Sequence, residues 1–427
     1  MIDINLIREH PDLVKKNIEQ KHQQDKLPLV DKIINLDQRW KKTKTEGDDL
    51  RQQRNNLSKE VAEAKKANTS AATILKKAKA LPKKLETNET KTKKLEQELH
   101  SLVEQIPNIM HKSVPTGESD KDNKVIQKFG AIKKFDFEVK GHVELAESLG
   151  MADFDSSAKT SGNGFYYLQG DLALLNQALL KFATDKMVAE GFTYVETPLL
   201  LRTDIISRVT DLHDQENMIY KIDNDDLALI GTSEHSLISR YLDQLIHEKD
   251  LPILQTSYSM CFRKEIGSHG IDEKGLFRTR QFNKIEMIAI TKPEESMDYF
   301  EKFKKITTDI FTDLEIPIRV LAICSGDLGD LKHIQVDIDA YSPRRKDYFE
   351  VGSCSNLTEA QSRKLNIRGI DRHGERFTPH TLNNTAIATG RALVALLENH
   401  QNADGTITIP DALVPYMNGK KLIGKKD

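Results

Sequence analysis

Two alternating segments, CFRKEI and QFNKIEM, carry cations and carboxylates at a spacing that suits the binding of anions. Side chains two residues apart share one face of a strand, so Arg263 and Glu265 are predicted to point the same way. Phe282, Lys284 and Glu286 share a face of the second segment. If the strands pair, one sheet face holds two cations, two carboxylates and a ring. An arginine fork suits phosphate or carboxylate oxygens, and the ring offers a base a stacking surface.

This face has a second interpretation, a set of cross-strand ion pairs on a solvated sheet. The hairpin alone does not decide between the two. No G-x-G-x-x-G follows a strand and no G-x-x-x-x-G-K-[ST] occurs, so a nucleotide would be bound by another route. A further cationic candidate is Arg391, early in an apolar helix that follows the segment carrying Asn383 and Thr385.

The elements that would position these residues begin at about residue 136. Leu172, Leu175, Leu179 and Phe182 recur at helical spacing and would line one face of a helix. The runs TYVETPLL, LPILQTSYSMCFR, QFNKIEMIAI, IPIRVLAI, HIQVDIDAYS and DYFEVGSCS read as strands, several with alternating polarity. This order predicts an α+β fold in which helices flank an antiparallel β-sheet.

A long heptad pattern precedes this region. Apolar residues recur in steps of three and four over residues 29–64 and again over 81–109, with KKANTSAAT between them. Two such seams predict an N-terminal antiparallel helical coiled-coil hairpin over about residues 29–109, with a helix start or kink at Pro82. Residues 114–135, which include PTGESDKDNK, are predicted to form a linker.

Positive charge concentrates on the predicted hairpin. Residues 41–100 hold 16 Lys and Arg against 9 Asp and Glu, whereas the whole chain has a formal net charge of −2. A basic projecting hairpin suits contact with phosphates, and a solvated coiled-coil face is the alternative interpretation. The lysines nearest the turn are Lys65, Lys66, Lys76, Lys77, Lys79, Lys83 and Lys84.

Composition and cysteine spacing argue against several classes of protein. A chain of 427 residues with 30% charged residues predicts two or three soluble domains, and no apolar run reaches the length of a membrane span. The three cysteines lack C-x-x-C spacing, which argues against a disulfide framework and favours a reducing, cytoplasmic setting. The start MIDINLIREHPDLV lacks the features of a secretion or import signal.

Three segments, FTYVETPLL, the charged hairpin and the segment around Arg391, resemble in order the signature motifs of class II aminoacyl-tRNA synthetases. The chain is more closely similar to the seryl-tRNA synthetase family, through GTSEHSL, FRKEIGSHG, GLFRTRQFNKIEM, FEVGSCSN, HTLNNTAIATGRALVALLENHQ and IPDALVPYM. The N-terminal MIDINLIREHPDLVKKNIEQK and the helical hairpin also resemble that family. The resemblance implies a tRNA-binding domain at residues 1–113 and a catalytic domain at residues 136–427.

This resemblance also implies an activity. Family members activate L-serine with ATP to seryl-adenylate and transfer the seryl group to the 3′ end of tRNA(Ser). It implies Mg²⁺ bound with ATP, a homodimer paired through the first motif, and an arm that grips the long variable arm of serine tRNA. Selenocysteine tRNA, tRNA(Sec), would fit the same arm. Some methanogen seryl enzymes hold zinc through a cysteine, but the cysteine spacing here predicts no zinc.

The family's residue roles transfer by position, as implications of the resemblance. Arg263, Arg391 and Glu350 would be catalytic, and Glu350 and Ser353 would bind magnesium through ATP. The lysines nearest the turn of the hairpin would bind tRNA. The residues implied to bind ATP are Arg263, Lys264, Glu265, Arg278, Phe282, Glu350, Val351, Gly352, Ser353 and Arg391. Those implied to bind serine are Thr232, Ser233, Glu234, Arg263, Glu286, Asn383 and Thr385.

The chain departs from the family pattern at a few positions. Asn384 stands where glycine is usual, and Gly352 stands where serine is commoner. In HIQVDIDAYSP the usual lysine, threonine and tyrosine are replaced by Ile334, Gln335 and Val336, whereas two acidic positions are kept. None of these changes removes an arginine of the implied ATP site.

Other functions fit part of this pattern. A class II paralogue that loads an amino acid onto a carrier protein would lack the long arm. A coiled-coil interaction protein built on an inactive core would be expected to lose Arg263, Arg278 or Arg391, and all three are present. A synthetase for another small amino acid is the nearer alternative, and the residues of the serine site distinguish it.

Overall fold

A computed structural model describes residues 1–67, 72–211, 215, 217–265 and 274–424. The chain divides into two compact units, Met1–Pro107 and Asn108–Asp427. Among the described residues, no helix is both long enough and apolar enough to cross a membrane.

The first unit is helical. Its helices are α1 (Ile4–Glu9), α2 (Pro11–Gln20), α3 (Leu27–Lys66) and α4 (Ala72–Val103). The long pair α3 and α4 confirms the predicted hairpin, and residues 68–71 between them lie outside the described residues. Of the helix start or kink expected at Pro82, the start is wrong, because α4 begins at Ala72 and continues through the proline, and the kink stays a prediction. The neighbouring Leu81 and Leu85 are buried, and their packing offsets the backbone hydrogen bond that proline cannot donate.

The middle of the helical hairpin has a polar seam. The Nδ2 atom of Asn88 donates to the backbone oxygen of Thr43 at 2.9 Å. Gly47 faces the same side chain so closely that a β-carbon there would lie 2.5 Å from Oδ1 of Asn88. Thr43, Gly47 and Asn88 therefore meet between the two helices, where the Asn88 side chain joins them by a hydrogen bond and Gly47 leaves room for it.

The second unit contains the remaining elements. Its helices are α5 (His142–Ser148), α6 (Phe154–Ser161), α7 (Gly170–Ala189), α8 (Thr203–Val209), α9 (Ser233–Ser239), α10 (Ser296–Asp313), α11 (Ala360–Lys364) and α12 (Thr389–His400). Its strands are β1 (Lys124–Phe129), β2 (Ala152–Asp153), β3 (Tyr167–Leu168), β4 (Thr193–Tyr194), β5 (Leu200–Arg202), β6 (Leu227–Leu229), β7 (Leu245–His247), β8 (Ile253–Phe262), β9 (Gln281–Thr291), β10 (Ile318–Ala322), β11 (Ile334–Ser342), β12 (Asp347–Thr358), β13 (Arg368–Ile370), β14 (Arg376–Phe377), β15 (His380–Ala388), β16 (Ile407–Thr408) and β17 (Leu422–Ile423).

The main sheet confirms the predicted α+β class. Its eight strands run in the order β1, β10, β11, β12, β15, β9, β8 and β4. Neighbours are antiparallel except for β4 and β8, which pair in parallel. The edge strand β1 lies inside residues 114–135, so part of the predicted linker belongs to the sheet. Its side chains are mostly exposed, and backbone pairing with β10 rather than apolar burial fixes it there.

One face of the sheet is covered by helices α7, α10 and α12. Ile285, Met287 and Ala289 of β9 belong to this hydrophobic core. The predicted helical stripe packs into the same core, since all of its members are buried: Leu172, Leu175, Leu179 and Phe182. Because side chains alternate along a strand, Phe282, Lys284 and Glu286 point to the opposite face, where the polar residues gather.

Candidate active site

A row of polar side chains crosses the sheet on the face away from this core. The strand register sets Asp337 opposite Ser353, and it sets Glu286 opposite both Thr385 and Ser257. Directly paired residues on neighbouring strands point to the same side of a sheet. Five strands, β11, β12, β15, β9 and β8, therefore contribute carboxylate or hydroxyl groups to one continuous floor.

A cleft opens at one end of this floor. It has a cavity volume of about 120 Å³ and opens to solvent. Of the residues predicted to bind ATP, Lys264 and Ser353 do not line it and the others do. The lining residues are Arg263, Glu265, Leu276, Phe277, Arg278, Thr279, Phe282, Lys284, Glu350, Val351, Gly352, Thr385, Ala388, Gly390 and Arg391.

Arg263 is the first residue beyond the end of β8. Its backbone N–H donates to the carbonyl of Arg280 at 2.9 Å, which continues the pairing past Phe262. Its Nε donates to the carbonyl of Gly231 at 3.2 Å, and its Cζ lies 5.3 Å from the centre of the Phe282 ring. These contacts hold the guanidinium group over the aromatic face, a cation–π arrangement.

Glu265 does not continue the strand. The sequence predicted that it shares a strand face with Arg263, which is wrong because β8 ends at Phe262 and Glu265 has a φ of 50°. A left-handed backbone leaves the ladder and re-aims the side chain. Glu265 still lines the cleft, and its Oε2 lies 3.7 Å from Nε of Arg278 on the returning segment.

Arg391 enters the cleft from the first turn of α12. Its Nη1 donates to the backbone oxygen of Glu350 at 2.9 Å and to the Oε2 atom of the same residue at 3.0 Å. Its Nε donates to the carbonyl of Phe277 at 3.4 Å, and its Cζ lies 5.2 Å from that ring. Arg391 and Glu350, far apart in the sequence, thus form one charged wall of the cleft.

The floor holds a buried ion pair. Nζ of Lys284 lies 2.6 Å from Oε2 of Glu286, and Thr385 donates its hydroxyl to the same oxygen at 3.3 Å. All three side chains are buried. Glu286 and Thr385 were both predicted from the sequence to contact serine, and the structure brings them together.

Glu234 lies at the start of α9, at the edge of the floor. Thr232 caps the helix by accepting from the Glu234 backbone N–H at 3.3 Å. Gln361 donates to Oε1 of Glu234 at 2.7 Å and accepts from Thr381 at 2.8 Å, so its amide orientation is fixed. Burial and the nearby Glu286 carboxylate raise the pKa of Glu234 to about 7.

Three other predicted residues differ in their surroundings. Ser233 is buried and donates its hydroxyl to the carbonyl of Ser257 at 3.4 Å. Asn383 is two residues from Thr385 on β15 and therefore shares its face of the sheet. The backbone N–H of Lys264 donates to the carbonyl of Met218 at 3.0 Å, which anchors the chain beyond Arg263.

Asn384 points the other way, into the core. Its Nδ2 donates to the carbonyl of Phe303 at 2.7 Å and to the hydroxyl of Thr307 at 2.8 Å, both on α10. The side chain that stands in place of the usual glycine is thus fully buried behind the sheet rather than beside a substrate.

Sequence reasoning missed a chain of hydrogen bonds that begins at Lys332, just before β11, and ends at Asp337. Nζ of Lys332 donates to Oε1 of Gln335 at 2.6 Å, and Nε2 of Gln335 donates to Oδ1 of Asp337 at 2.6 Å. Burial and the carboxylate of Glu350 raise the pKa of Asp337 to about 7. The alternation in HIQVDIDAYS could have placed Gln335 and Asp337 on the floor, but the segment stood out only as a departure from the family pattern.

Comparison with known proteins identifies the family. The model of the seryl-tRNA synthetase N-terminal domain matches residues 1–110, and that of the tRNA synthetase class II core domain (G, H, P, S and T) matches residues 218–400. The serine–tRNA ligase of Methanoregula boonei is 43% identical over 99% of this chain and 100% of its own length. The chain belongs to the seryl-tRNA synthetase family.

Other members of the seryl-tRNA synthetase family agree with this assignment. The serine–tRNA ligase of Pyrococcus furiosus is 41% identical over 99% of this chain and 98% of its own length. The seryl-tRNA synthetase of Pyrococcus horikoshii, solved in complex with ATP, superposes with a TM-score of 0.93 at 39% identity and covers all of both chains. The Naegleria fowleri enzyme in complex with AMP has a TM-score of 0.89 at 28% identity, over 100% of this chain and 99% of its own.

The helical hairpin is the part of the family N-terminal domain that carries the predicted tRNA contacts. Most of these lysines are exposed, namely Lys66, Lys76, Lys77, Lys79, Lys83 and Lys84, and the side chain of Lys65 lies outside the described residues. Lys79, Lys83 and Lys84 line a groove between the helices together with Glu46 and Asp49. This part of the surface therefore carries both signs of charge, with cations in excess.

Proposed function

We propose that this member of the seryl-tRNA synthetase family activates L-serine with ATP, releases pyrophosphate, and transfers the seryl group from seryl-adenylate to the 3′ end of tRNA(Ser). The observation that carries the proposal is the convergence of Arg263, Arg278 and Arg391 on one cleft. The cleft opens beside a row of buried oxygen groups. Guanidinium groups suit a triphosphate, and hydrogen-bonding oxygens suit a small hydroxy amino acid.

The nucleotide would be held from both sides of the cleft. Phe282 would stack on the adenine, and Glu265 would accept from its amino edge. Arg278 and Arg391 would clamp the outer phosphates, and Arg263 would bind both the α-phosphate and the serine carboxylate. The rest of the proposed ATP site consists of Lys264, Val351 and Gly352.

The first chemical step is the attack of a serine carboxylate oxygen on the α-phosphorus, in line with the departing pyrophosphate. The substrate supplies the nucleophile, so the protein must hold two anions together and stabilise the charge of the transition state. Arg263 is suited to this task because Gly231 and Phe282 fix its position before substrate binds. In the second step the terminal tRNA hydroxyl attacks the seryl carbonyl, and AMP leaves.

Mg²⁺ fits the oxygen donors at the cleft. Glu350 lines it with a half-exposed carboxylate, and Ser353 lies nearby on the same strand. Magnesium prefers carboxylate, hydroxyl and phosphate oxygens, so these two residues would hold it together with ATP. Bound there, the ion would neutralise charge on the outer phosphates. The absence of zinc stays a prediction from the cysteine spacing.

Serine would be selected by hydrogen bonding. Glu286 and Thr385 would surround its hydroxyl, and Thr232 and Glu234 would receive its α-ammonium group. Alanine would leave buried polar groups of the site unpaired, which rejects it strongly, whereas the extra methyl of threonine is excluded only by a close fit. The remaining proposed serine contacts are Ser233 and Asn383.

The helical hairpin would bind the tRNA. A basic rod suits the phosphates of double-stranded RNA, which proteins recognise by shape rather than by base sequence. The lysines near the turn, including Lys79, Lys83 and Lys84, would grip the long variable arm of tRNA(Ser), and tRNA(Sec) would be a second substrate with such an arm. Charging either tRNA in vitro tests this directly.

We also propose a cytoplasmic homodimer, on the strength of the family. The strand segment TYVETPLL carries exposed apolar side chains, Tyr194, Leu199 and Leu200, which suit burial against a second copy. Sedimentation should give twice the chain mass of 48.5 kDa. A stable monomer would contradict the dimer.

Serine-dependent exchange of pyrophosphate into ATP tests the activation step. Exchange should occur with serine and far less with alanine, threonine, cysteine or glycine. Arg263→Ala should abolish it, whereas Arg372→Ala, at an exposed position, should leave it intact. Exchange with threonine greater than with serine would overturn the proposed substrate.

A further inference from the structure

His142, at the start of α5, lies outside the segments that resemble the family motifs, yet it contacts one of them. The backbone N–H of Leu276 donates to Nε2 of His142 at 3.1 Å. Both residues are buried, with 2% and 1% of their surfaces exposed. Leu276 belongs to the segment that returns to β9 and carries Arg278 into the cleft.

The tautomer of this imidazole follows from its contacts. Because Nε2 accepts a hydrogen bond from a backbone N–H, the ring proton lies on Nδ1. Nδ1 lies 3.7 Å from Oε1 of Glu398, an electrostatic contact that is longer than a hydrogen bond. Glu398 is a fully buried carboxylate on α12. Glu398 also accepts from the Ser342 hydroxyl and from Nε of Arg344. Burial acts to raise the pKa of Glu398, but His142, Ser342 and Arg344 outweigh it and lower the pKa, so the carboxylate is ionised at neutral pH.

Two glycines allow this close packing. A β-carbon at Gly275, where φ is 117°, would lie 2.3 Å from Nε2 of His142. A β-carbon at Gly390 would lie 2.8 Å from the carbonyl oxygen of Leu276. The backbone at Leu276 is therefore held between the first turns of α5 and α12, with no room for side chains at either glycine.

Helix α12 carries one arginine of the proposed phosphate clamp and contacts the segment that leads to the other. It carries Arg391 in its first turn, and Nε of Arg391 donates to the carbonyl of Phe277 at 3.4 Å. Two turns later it carries Glu398, which faces His142. The segment that leads to Arg278 is thus tied to α12 at two successive residues, directly at Phe277 and through His142 at Leu276.

We propose that His142, oriented by Glu398, is a positioning residue that fixes the returning segment so that Arg278 and Arg391 meet the same nucleotide. This inference rests on the proposed function and adds a residue to it. His142 touches no substrate in this scheme. Small displacements of a clamp lower affinity strongly, so losing the Nε2 acceptor should weaken ATP binding rather than serine binding.

The test compares three variants with the full-length wild type. His142→Ala removes the acceptor, and His142→Gln replaces it with an amide oxygen on a side chain of similar reach. His400→Ala is the matched control, because His400 is a buried histidine on α12 whose Nε2 contacts the carbonyl of Leu314 and not the returning segment. The measurements are the Kd for ATP by calorimetry, the KM values for ATP and serine in pyrophosphate exchange, and the Tm.

We expect His142→Ala to raise the Kd and KM for ATP about tenfold and to leave the KM for serine within about twofold. His142→Gln should restore most of the ATP affinity. His400→Ala should lower the Tm without changing the Kd for ATP. A merely structural role of His142 predicts instead that both alanine variants lower the Tm and leave the Kd for ATP unchanged, which would overturn the inference.

A variant with the ring intact covers the case in which His142→Ala does not fold. Glu398→Gln removes the charge that orients the imidazole and should raise the Kd for ATP, as His142→Ala does. An unchanged Kd would refute the role of Glu398 in orienting His142. Calorimetry with ATP alone needs no reaction, so the inference is judged separately from the activity. Wild-type protein that binds ATP but shows no serine-dependent exchange would contradict the proposed function and leave the His142 comparison valid.

Discussion

Nζ of Lys284 lies 2.6 Å from Oε2 of Glu286, with only 7% and 2% of the two side chains exposed. The residues are two apart on β9, on the face away from the helical core. The cation therefore fixes the carboxylate beneath Thr385, at the place where the proposed serine hydroxyl would bind. The two residues form one unit, because neither charge is stable in this position without the other.

Replacing Lys284 by methionine should destabilise the fold strongly. The change leaves the Glu286 carboxylate buried and unpaired, and breaking such a pair typically costs about 3–5 kcal/mol of unfolding free energy. Lys305→Met is the matched control, because Lys305 pairs with Asp309 on the solvent side of α10 and exposed ion pairs contribute little to stability. Urea unfolding of both variants measures the difference, and equal losses would contradict the proposed coupling.

The affinity for serine should depend on pH through Glu234. Burial and the neighbouring Glu286 raise the pKa of this carboxyl to about 7, so it is mostly protonated below that pH and ionised above it. Only the ionised form attracts an α-ammonium group. The KM for serine should therefore rise as the pH falls from 8 to 6, by up to about tenfold per unit below the pKa.

Two variants separate this titration from that of Asp337, whose pKa is also raised to about 7. Glu234→Gln should give a high KM for serine that no longer changes with pH. Asp337→Asn should keep the pH dependence. A flat profile in the wild type, or an unchanged profile in Glu234→Gln, would remove Glu234 from the serine site.

The polar pattern alone predicted which side chains share a face of β9, but it did not predict the backbone conformation at the end of β8. Alternation placed Phe282, Lys284 and Glu286 on one face, and the register of β9 confirms it. The alternation rule failed at Glu265, because the backbone of this residue is in the left-handed region and leaves the strand. No local signal in the sequence marked that change of backbone conformation. The family resemblance named Glu265, and it lines the cleft for a different structural reason.

Long-range pairing was the other part that periodicity could not supply. The floor exists because β15 pairs with β9, a strand that is distant from it in sequence. At Pro82 the local rule that proline begins a helix was outweighed by tertiary packing, because the neighbouring leucines are buried and the helix continues through the proline. Heptads, by contrast, predicted the helical hairpin well, because each seam position depends only on residues three or four away.

Removing charge from the hairpin should weaken tRNA charging without affecting serine activation. The triple change Lys79→Gln, Lys83→Gln and Lys84→Gln should raise the KM for tRNA and reduce its salt dependence, because fewer phosphate contacts release fewer counterions. Pyrophosphate exchange should stay within about twofold of the wild type. The charge-matched control carries glutamine at three exposed lysines of the second unit, Lys249, Lys305 and Lys346. If both triple variants charge tRNA equally well, the hairpin lysines do not bind it.

Adjacent asparagines on β15 offer a test of which face of the sheet binds substrate. Asn384 is fully buried and donates to Phe303 and Thr307 in the core, whereas Asn383 shares the face of Thr385. Asn384→Ala removes two buried hydrogen bonds and leaves a small cavity, so we expect it to lower the unfolding free energy by about 2 kcal/mol. Its KM for serine should stay within about twofold of the wild type.

Asn383→Ala should give the opposite result at the neighbouring residue. Its side chain faces the floor, so the KM for serine should rise about tenfold, the effect of losing one polar contact to a bound substrate. Its unfolding free energy should change less than that of Asn384→Ala. Urea unfolding gives the unfolding free energy of each variant, and pyrophosphate exchange gives its KM for serine. A change in the KM for serine in Asn384→Ala but not in Asn383→Ala would place the substrate on the core side of the sheet. That result would overturn the proposed serine site.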